Sequence, residues 1–126
     1  MKKSLFIALL FCCMTMHAQN KIDAISNIEQ TASWIIVYNQ NGKRAYTKGK
    51  GSVGEVVGWS STFWVSKNGS WYYLWSVDGK KYKSMTANNI GTVISVTGDT
   101  FTAKKGRWIY TYDKNGRKIQ SRSVNW

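Results

Sequence analysis

The chain has 126 residues, with 18 Lys and Arg against six Asp and Glu, so its net charge is +12. This length suits one domain with a single modest core and excludes a multidomain enzyme. The basic excess disfavours cationic partners. It favours anionic ones: acidic polysaccharide, lipopolysaccharide, phospholipid headgroups or nucleic acid.

Residues 1–18 have the pattern of a secretory signal peptide. A basic tripeptide precedes an apolar run from Leu5 to Cys13, and the segment ends at the small residue Ala18. The run is shorter than the roughly 20 residues that cross a bilayer, which disfavours a transmembrane anchor. We therefore expect an exported protein, periplasmic or extracellular, whose single domain is 19–126.

The residues available for chemistry are few once that segment is removed. Both cysteines, Cys12 and Cys13, and the only histidine, His17, lie in it. The remaining chain has no disulfide, no metal-ligand cluster and no carboxylate pair spaced for acid–base catalysis. We expect a protein that is not an enzyme and that needs no cofactor or metal.

An internal repeat dominates the rest of the chain. Trp34, Trp71 and Trp108 are 37 residues apart, and each begins the pattern W-x-x-x-[YW]-x-x-[ND]-G-[KR]-[KR]. A fixed period of this length is typical of repeat architectures. The predicted repeats are 34–70, 71–107 and 108–126, and 19–33 is the segment available to complete the third.

Each repeat is expected to contain four short antiparallel strands. The aromatic and β-branched run that starts at each tryptophan favours a strand. An Asn-Gly or Asp-Gly turn follows, and it predicts a hairpin. The second strands are expected at 43–48, 80–85 and 117–122, and a further hairpin completes the first two repeats.

The N-terminal stretch decides whether the repeats form a ring. Ile28 precedes Trp34 by six residues, as Val65 precedes Trp71, so 20–33 could supply the missing strands. The alternative is a loose arm or a short helix. We predict an all-β fold, an antiparallel β-meander closed into a β-trefoil-like structure or small barrel, since closure removes exposed edges. A curved open meander is the alternative.

Alternation along the first strand of each repeat places large side chains on one face. In the first repeat these are Trp34, Ile36 and Tyr38, and the other repeats have aromatic residues throughout. We expect this face to form the core, so that Trp71→Ala costs about 3–5 kcal/mol. The alternative is an aromatic platform for sugar rings.

A basic stripe follows on the second strand of each repeat. Alternation predicts one outward face there, which carries the candidate ligand-binding residues Arg44, Tyr46, Lys48, Lys81, Lys83, Lys118 and Arg122. Tyr46 corresponds to Lys83 and Gln120, so the fold does not require an aromatic ring at that position. A ring flanked by cations suits stacking on a sugar or base. The alternative is a solvated strand face whose lysines protect an edge.

The segment Tyr112-Asp-Lys-Asn-Gly-Arg117 resembles the core of the YD-type and WG-type tandem repeats of bacterial surface proteins. The similarity covers only this segment of each repeat. It implies a β-repeat scaffold and no particular activity.

The function expected from the sequence is a binding module for an anionic surface polymer, such as acidic polysaccharide or lipopolysaccharide. One alternative is an accessory, inhibitor or immunity protein for an acidic partner. Another is a cationic effector that acts on cell envelopes. Nucleic acid is a weaker candidate, because an exported protein meets little of it.

Overall fold

The computed structural model describes residues 20–124, and the predicted signal peptide, 1–18, lies outside the described residues. Over the described range the fold is all-β: most residues lie in strands, and all strand pairs are antiparallel. Within residues 20–124, no helix has the length and apolar character needed to span a membrane.

The strands form three sheets, and in each one consecutive strands are neighbours. The first sheet contains β1 (Asn27–Gln30), β2 (Trp34–Tyr38) and β3 (Arg44–Gly49). The middle sheet contains β4 (Glu55–Trp59), β5 (Phe63–Asn68), β6 (Trp71–Ser76) and β7 (Lys81–Thr86). The last sheet contains β8 (Thr92–Thr97), β9 (Thr100–Lys105), β10 (Trp108–Asp113) and β11 (Lys118–Ser123). The single-turn helices α1 (Lys50–Val53) and α2 (Ala87–Ile90) connect one sheet to the next.

The N-terminal stretch contributes one strand. In the first sheet Ile28 of β1 lies opposite Val37, just as Val65 of β5 lies opposite Leu74 in the middle sheet. Residues 20–26 form no strand. The first sheet therefore has three strands where the other two have four.

The closed β-trefoil-like structure or small barrel predicted above is not seen. Among residues 20–124, hydrogen-bonded ladders run only within each sheet and never join two sheets. The reason lies in the helical turns: α1 and α2 carry the chain into a new layer, so the next sheet packs on the previous one instead of extending it. The edge strands stay open, and the exposed lysines of β7 discourage their pairing with another chain.

Two apolar clusters hold the three sheets in a stack. One cluster joins the first and middle sheets and includes Ile35, Val37, Trp64 and Trp75. The other cluster joins the middle and last sheets, and its largest members are Phe63, Val65, Tyr72, Leu74, Phe101 and Tyr112. The middle sheet is therefore buried on both faces. Strand β5 shows this directly, because its four residues 63–66 are all inaccessible to solvent.

A pair of stacked indoles lies at the centre of the first interface. The rings of Trp64 and Trp75 are 5.0 Å apart and 11° from parallel. Trp64 donates its indole N–H to the Tyr46 hydroxyl at 3.1 Å, and this hydroxyl donates to the Val77 carbonyl at 2.9 Å. Trp75 donates to the buried Ser66 hydroxyl at 2.8 Å. Both buried indole N–H groups thus have hydrogen-bond acceptors, as is usual for polar groups buried away from water.

The predicted core face is wrong for the three repeated tryptophans. Trp34, Trp71 and Trp108 are 53%, 45% and 45% exposed, whereas Ile35 and Leu74 on the opposite face are fully buried. Alternation correctly grouped the residues of each repeat's first strand into two faces. It could not show which face packs more deeply, because the central strand of a stacked sheet is apolar on both sides.

The two indoles of strand β6 give a direct stability test. Replacing the buried Trp75 by alanine should cost about 3–5 kcal/mol, because it leaves a large cavity under Trp64. Replacing the exposed Trp71 should cost about 1 kcal/mol or less. Urea unfolding of the two variants measures the difference. Equal losses of unfolding free energy would contradict the burial described here.

A matched pair of glycines tests the packing of Tyr46. Gly42 and Gly79 both have positive φ, at 75° and 90°, so alanine is strained at either position. A Cβ on Gly42 would meet no atom within 4 Å, whereas on Gly79 it would lie 2.9 Å from the Tyr46 ring. Gly42→Ala should cost about 1–2 kcal/mol from backbone strain. Gly79→Ala should cost about 1–3 kcal/mol more from overpacking, measured by thermal or urea unfolding. A smaller loss for Gly79→Ala would contradict the docking of Tyr46 on this turn.

Candidate functional site

A β-bulge in each sheet divides the predicted basic stripe between two faces. In the first sheet Arg44 lies opposite Tyr38 while Tyr46 lies opposite Val37, so Ala45 is the extra residue. The same shift occurs at Leu74/Trp75 and at Thr111/Tyr112. The alternation of side chains inverts at each bulge. The prediction that all seven candidate residues share one face is therefore wrong.

Tyr46 and Lys48 lie in the interface between the first and middle sheets. Tyr46 is held by the hydrogen bonds to Trp64 and Val77 described above. The Lys48 ammonium lies 4.9 Å from the centre of the Trp75 ring and 5.8 Å from that of Tyr46. Such contacts are cation–π interactions, and here they serve packing between the sheets.

Lys83 and Arg122 lie on the equivalent face of the middle and last sheets, and both are exposed to solvent. Lys83 is exposed, and its aliphatic stem packs over the turn glycine Gly116 of the last sheet. Arg122 is exposed and lies opposite Ile109, on the outer face of the last sheet. These two cations contribute positive charge to the surface, but they belong to different sheets.

The other three candidates, Arg44, Lys81 and Lys118, lie on the face that carries the exposed tryptophans. In the middle and last sheets this face packs against the preceding sheet, so that Tyr73 and Tyr110 are partly buried and the tryptophans stay accessible at the strand ends. Lys81 stands 4.2 Å above the ring of Tyr73, and Lys118 stands at the same distance above Tyr110. Each of these tyrosines is two residues from the tryptophan of its strand. In the last sheet the rings of Trp108 and Tyr110 are 4° from parallel at 6.5 Å.

We call this arrangement the tryptophan–cation column, and each sheet has one. The three columns are Trp34–Ile36–Arg44, Trp71–Tyr73–Lys81 and Trp108–Tyr110–Lys118. In every column a hydroxyl side chain lies across from the middle residue, namely Thr47, Ser84 and Ser121. Each column thus combines an aromatic surface, a positive charge and a hydroxyl group within one strand pair.

The column of the first sheet contains a hollow of about 260 Å³ lined by Trp34, Ile36, Arg44 and Thr47. This face has no sheet packed on it, because the first sheet is the end of the stack. Beside the hollow, the Tyr38 hydroxyl donates to Glu29 at 2.7 Å and also contacts the Arg44 guanidinium. The hollow is therefore open to solvent and bordered by charged groups.

A larger cleft, of about 500 Å³, lies between the hairpin turns of the middle and last sheets. Its lining includes Asp78, Lys80, Lys114 and the ring of Tyr82, whose hydroxyl donates to the Lys114 carbonyl. A hydrogen bond from the Ser76 hydroxyl lowers the pKa of Asp78, so this carboxylate stays ionised.

Within residues 20–124, no group of three or more His, Cys, Asp or Glu side chains could hold a metal ion. In comparisons with family models, curated proteins and solved structures, nothing matches this chain. The candidate site therefore rests on the chain's own geometry.

Sequence reasoning weighed the repeated tryptophans as a sugar platform and favoured the core. One signal pointed the other way. Trp34, Trp71 and Trp108 lie across from Gly49, Thr86 and Ser123, which are small or polar and could not bury an indole. Identifying these partners from the sequence requires the register between the first and second strands, and the β-bulge shifts that register by one residue.

The titration of Tyr46 tests its place in the interface. Burial raises the pKa of Tyr46 to about 12, although the hydrogen bond from Trp64 acts in the opposite direction. An unfolded tyrosine ionises near pH 10, so the stability contributed by neutral Tyr46 is complete below about pH 10 and is lost as pH rises towards 12. Unfolding free energy should fall over this range, and Tyr46→Phe should make the fall shallower. An unchanged pH dependence in the variant would contradict the buried hydroxyl.

Proposed function

We propose that the protein is an exported, non-enzymatic binding module for an anionic surface polymer, an acidic polysaccharide or lipopolysaccharide. In this proposal the three sheets are copies of one 37-residue unit. Each unit presents one tryptophan–cation column to the polymer. Export rests on the pattern of residues 1–18, and it would place the protein in the periplasm or outside the cell.

The observation that carries the proposal is the exposure of the three repeated tryptophans beside three cations. Indoles that need no solvent contact for folding are normally buried, so three half-exposed copies at one position call for a ligand. The flat indole face suits the apolar face of a sugar ring, and the adjoining Arg44, Lys81 and Lys118 supply positive charge for its acidic groups.

The stacking of the sheets supports binding to a polymer rather than to a small molecule. Packed sheets lie about 10 Å apart, so equivalent columns recur at about that interval along the stack. A polymer with repeated anionic groups can occupy several columns at once. Linked weak sites of this kind reach high avidity without any single strong contact.

The candidate residues divide into three roles under this proposal. Arg44, Lys81 and Lys118 contact the polymer directly, while Lys83 and Arg122 add to the positive field around it. Tyr46 and Lys48 hold the first and middle sheets together. The charge of +12 accelerates encounter with any polyanion and makes binding sensitive to salt.

The chain offers a matched control for testing the columns. The test variant is Arg44→Glu/Lys81→Glu/Lys118→Glu. The control is Lys43→Glu/Lys80→Glu/Arg117→Glu, which changes the charge equally at the neighbouring turn positions. Both proteins and the unchanged chain are passed over immobilised acidic and neutral polysaccharides in a salt gradient, and circular dichroism verifies their folds.

We expect the unchanged chain to be retained on the acidic matrix and released as salt rises. The column variant should elute at or near the lowest salt, and the control variant should keep most of its retention. Equal losses in the two variants would contradict the columns as the binding surface. Absence of retention for the unchanged chain would contradict polymer binding altogether and would favour an acidic protein partner.

A further inference from the structure

The hollow in the first sheet combines two features: no other sheet covers this face, and one residue of the column departs from the repeat. The middle position of the column is Ile36 in the first sheet but Tyr73 and Tyr110 in the others. In those sheets the phenol ring fills the space beside the tryptophan, and a lysine lies over it at 4.2 Å. The smaller Ile36 leaves that space open between Trp34 and Arg44.

The cation of the first column also differs. Arg44 stands where the other sheets have Lys81 and Lys118. A guanidinium group is planar and offers paired N–H donors, which match the two oxygens of a carboxylate, whereas an ammonium group acts as a point charge. The guanidinium lies near the Tyr38 hydroxyl, which is itself bonded to Glu29.

The size and charge of the hollow limit what it can hold. Its volume of about 260 Å³ lies below the roughly 300–1,000 Å³ of pockets that enclose drug-sized ligands, so it suits one sugar ring. One guanidinium balances one negative charge. Glu29 lies across from Ile36 on the same face, so its carboxylate opposes any anion in the hollow, and it opposes a doubly charged phosphate monoester more than a singly charged carboxylate.

We propose that this hollow is a subsite for a single uronate residue of the polymer. The Trp34 indole stacks on the apolar face of the pyranose ring, the Arg44 guanidinium pairs with the ring carboxylate, and the Thr47 hydroxyl bonds to a sugar hydroxyl. This inference rests on the proposed function and adds to it the chemical class of the sugar. The Tyr73 and Tyr110 columns bind through charge and stacking and have no such selectivity.

Two substitutions test the subsite with side chains that the fold already accepts at equivalent positions. Ile36→Tyr fills the hollow as Tyr73 and Tyr110 do. Arg44→Lys keeps the positive charge and removes the paired donors, as in Lys81 and Lys118. Tyr82→Phe serves as the control, because it removes a hydroxyl in the cleft between the middle and last sheets, outside the columns, and leaves the hollow unchanged.

The probes are glucuronate, glucose, glucose 6-sulfate and glucose 6-phosphate, titrated into the full chain while the indole N–H resonance of Trp34 is followed by NMR. We expect glucuronate to bind about tenfold more tightly than glucose, as a hydrogen-bonded charge pair allows. Ile36→Tyr should abolish the shift of the Trp34 resonance. Arg44→Lys should reduce the preference for glucuronate severalfold, and Tyr82→Phe should match the unchanged chain.

The outcomes separate this inference from the proposed function. If the unchanged chain is retained on acidic polysaccharide but glucuronate leaves the Trp34 resonance unmoved, the uronate subsite is wrong and polymer binding stands. Tighter binding of the sulfate or phosphate ester than of glucuronate would overturn the assignment to a carboxylate. Equal binding of glucose and glucuronate would do the same. Loss of polymer retention itself would overturn both.

Discussion

The docking of the first sheet on the indole pair of the middle sheet is the contact on which the rest of the structure depends. Trp64 and Trp75 stack within the middle sheet, and Tyr46 and Lys48 close over them from the first. No cysteine lies in the described range, so apolar packing and a few hydrogen bonds join the layers. Without this interface the first and middle sheets would each expose a wide apolar face to water.

The same stacking also explains why the proposed binding surface is exposed. A sheet in a stack buries the centre of each face, while the ends of its strands extend past the neighbouring layer. Trp71 and Trp108 lie at such ends, and the indoles there stay accessible although Trp75 and Tyr112 in the same strands are buried. The outer face of the last sheet is the more polar one. The row Val65, Leu74 and Lys83 of the middle sheet corresponds to Thr102, Thr111 and Gln120 in the last, as expected for a terminal layer of a repeat structure.

Much of this arrangement was accessible from the sequence, and the missing part has a physical cause. The spacing of the tryptophans and the Asn-Gly and Asp-Gly turns predicted the strands to within about one residue of where they lie. Two assignments of faces failed: the repeated tryptophans were placed in the core, and the second strand of each repeat was given one uniform outward face. The second error arises because one extra residue in each sheet, Ala45 in the first, inverts the alternation. The choice between a closed barrel and an open stack also failed. That choice depends on the direction in which α1 leaves the first sheet, and strand patterns contain no information about it.

The central claim is that the three repeated tryptophans are exposed for binding, and oxidative footprinting with mass spectrometry tests it most directly. Trp34, Trp71 and Trp108 should be oxidised readily in the free protein, while Trp64 and Trp75 should resist. Addition of the acidic polysaccharide that retains the protein should protect all three exposed indoles. Full oxidation of Trp34, Trp71 and Trp108 in the polymer-bound protein would contradict the account, because binding would then occur elsewhere on the surface.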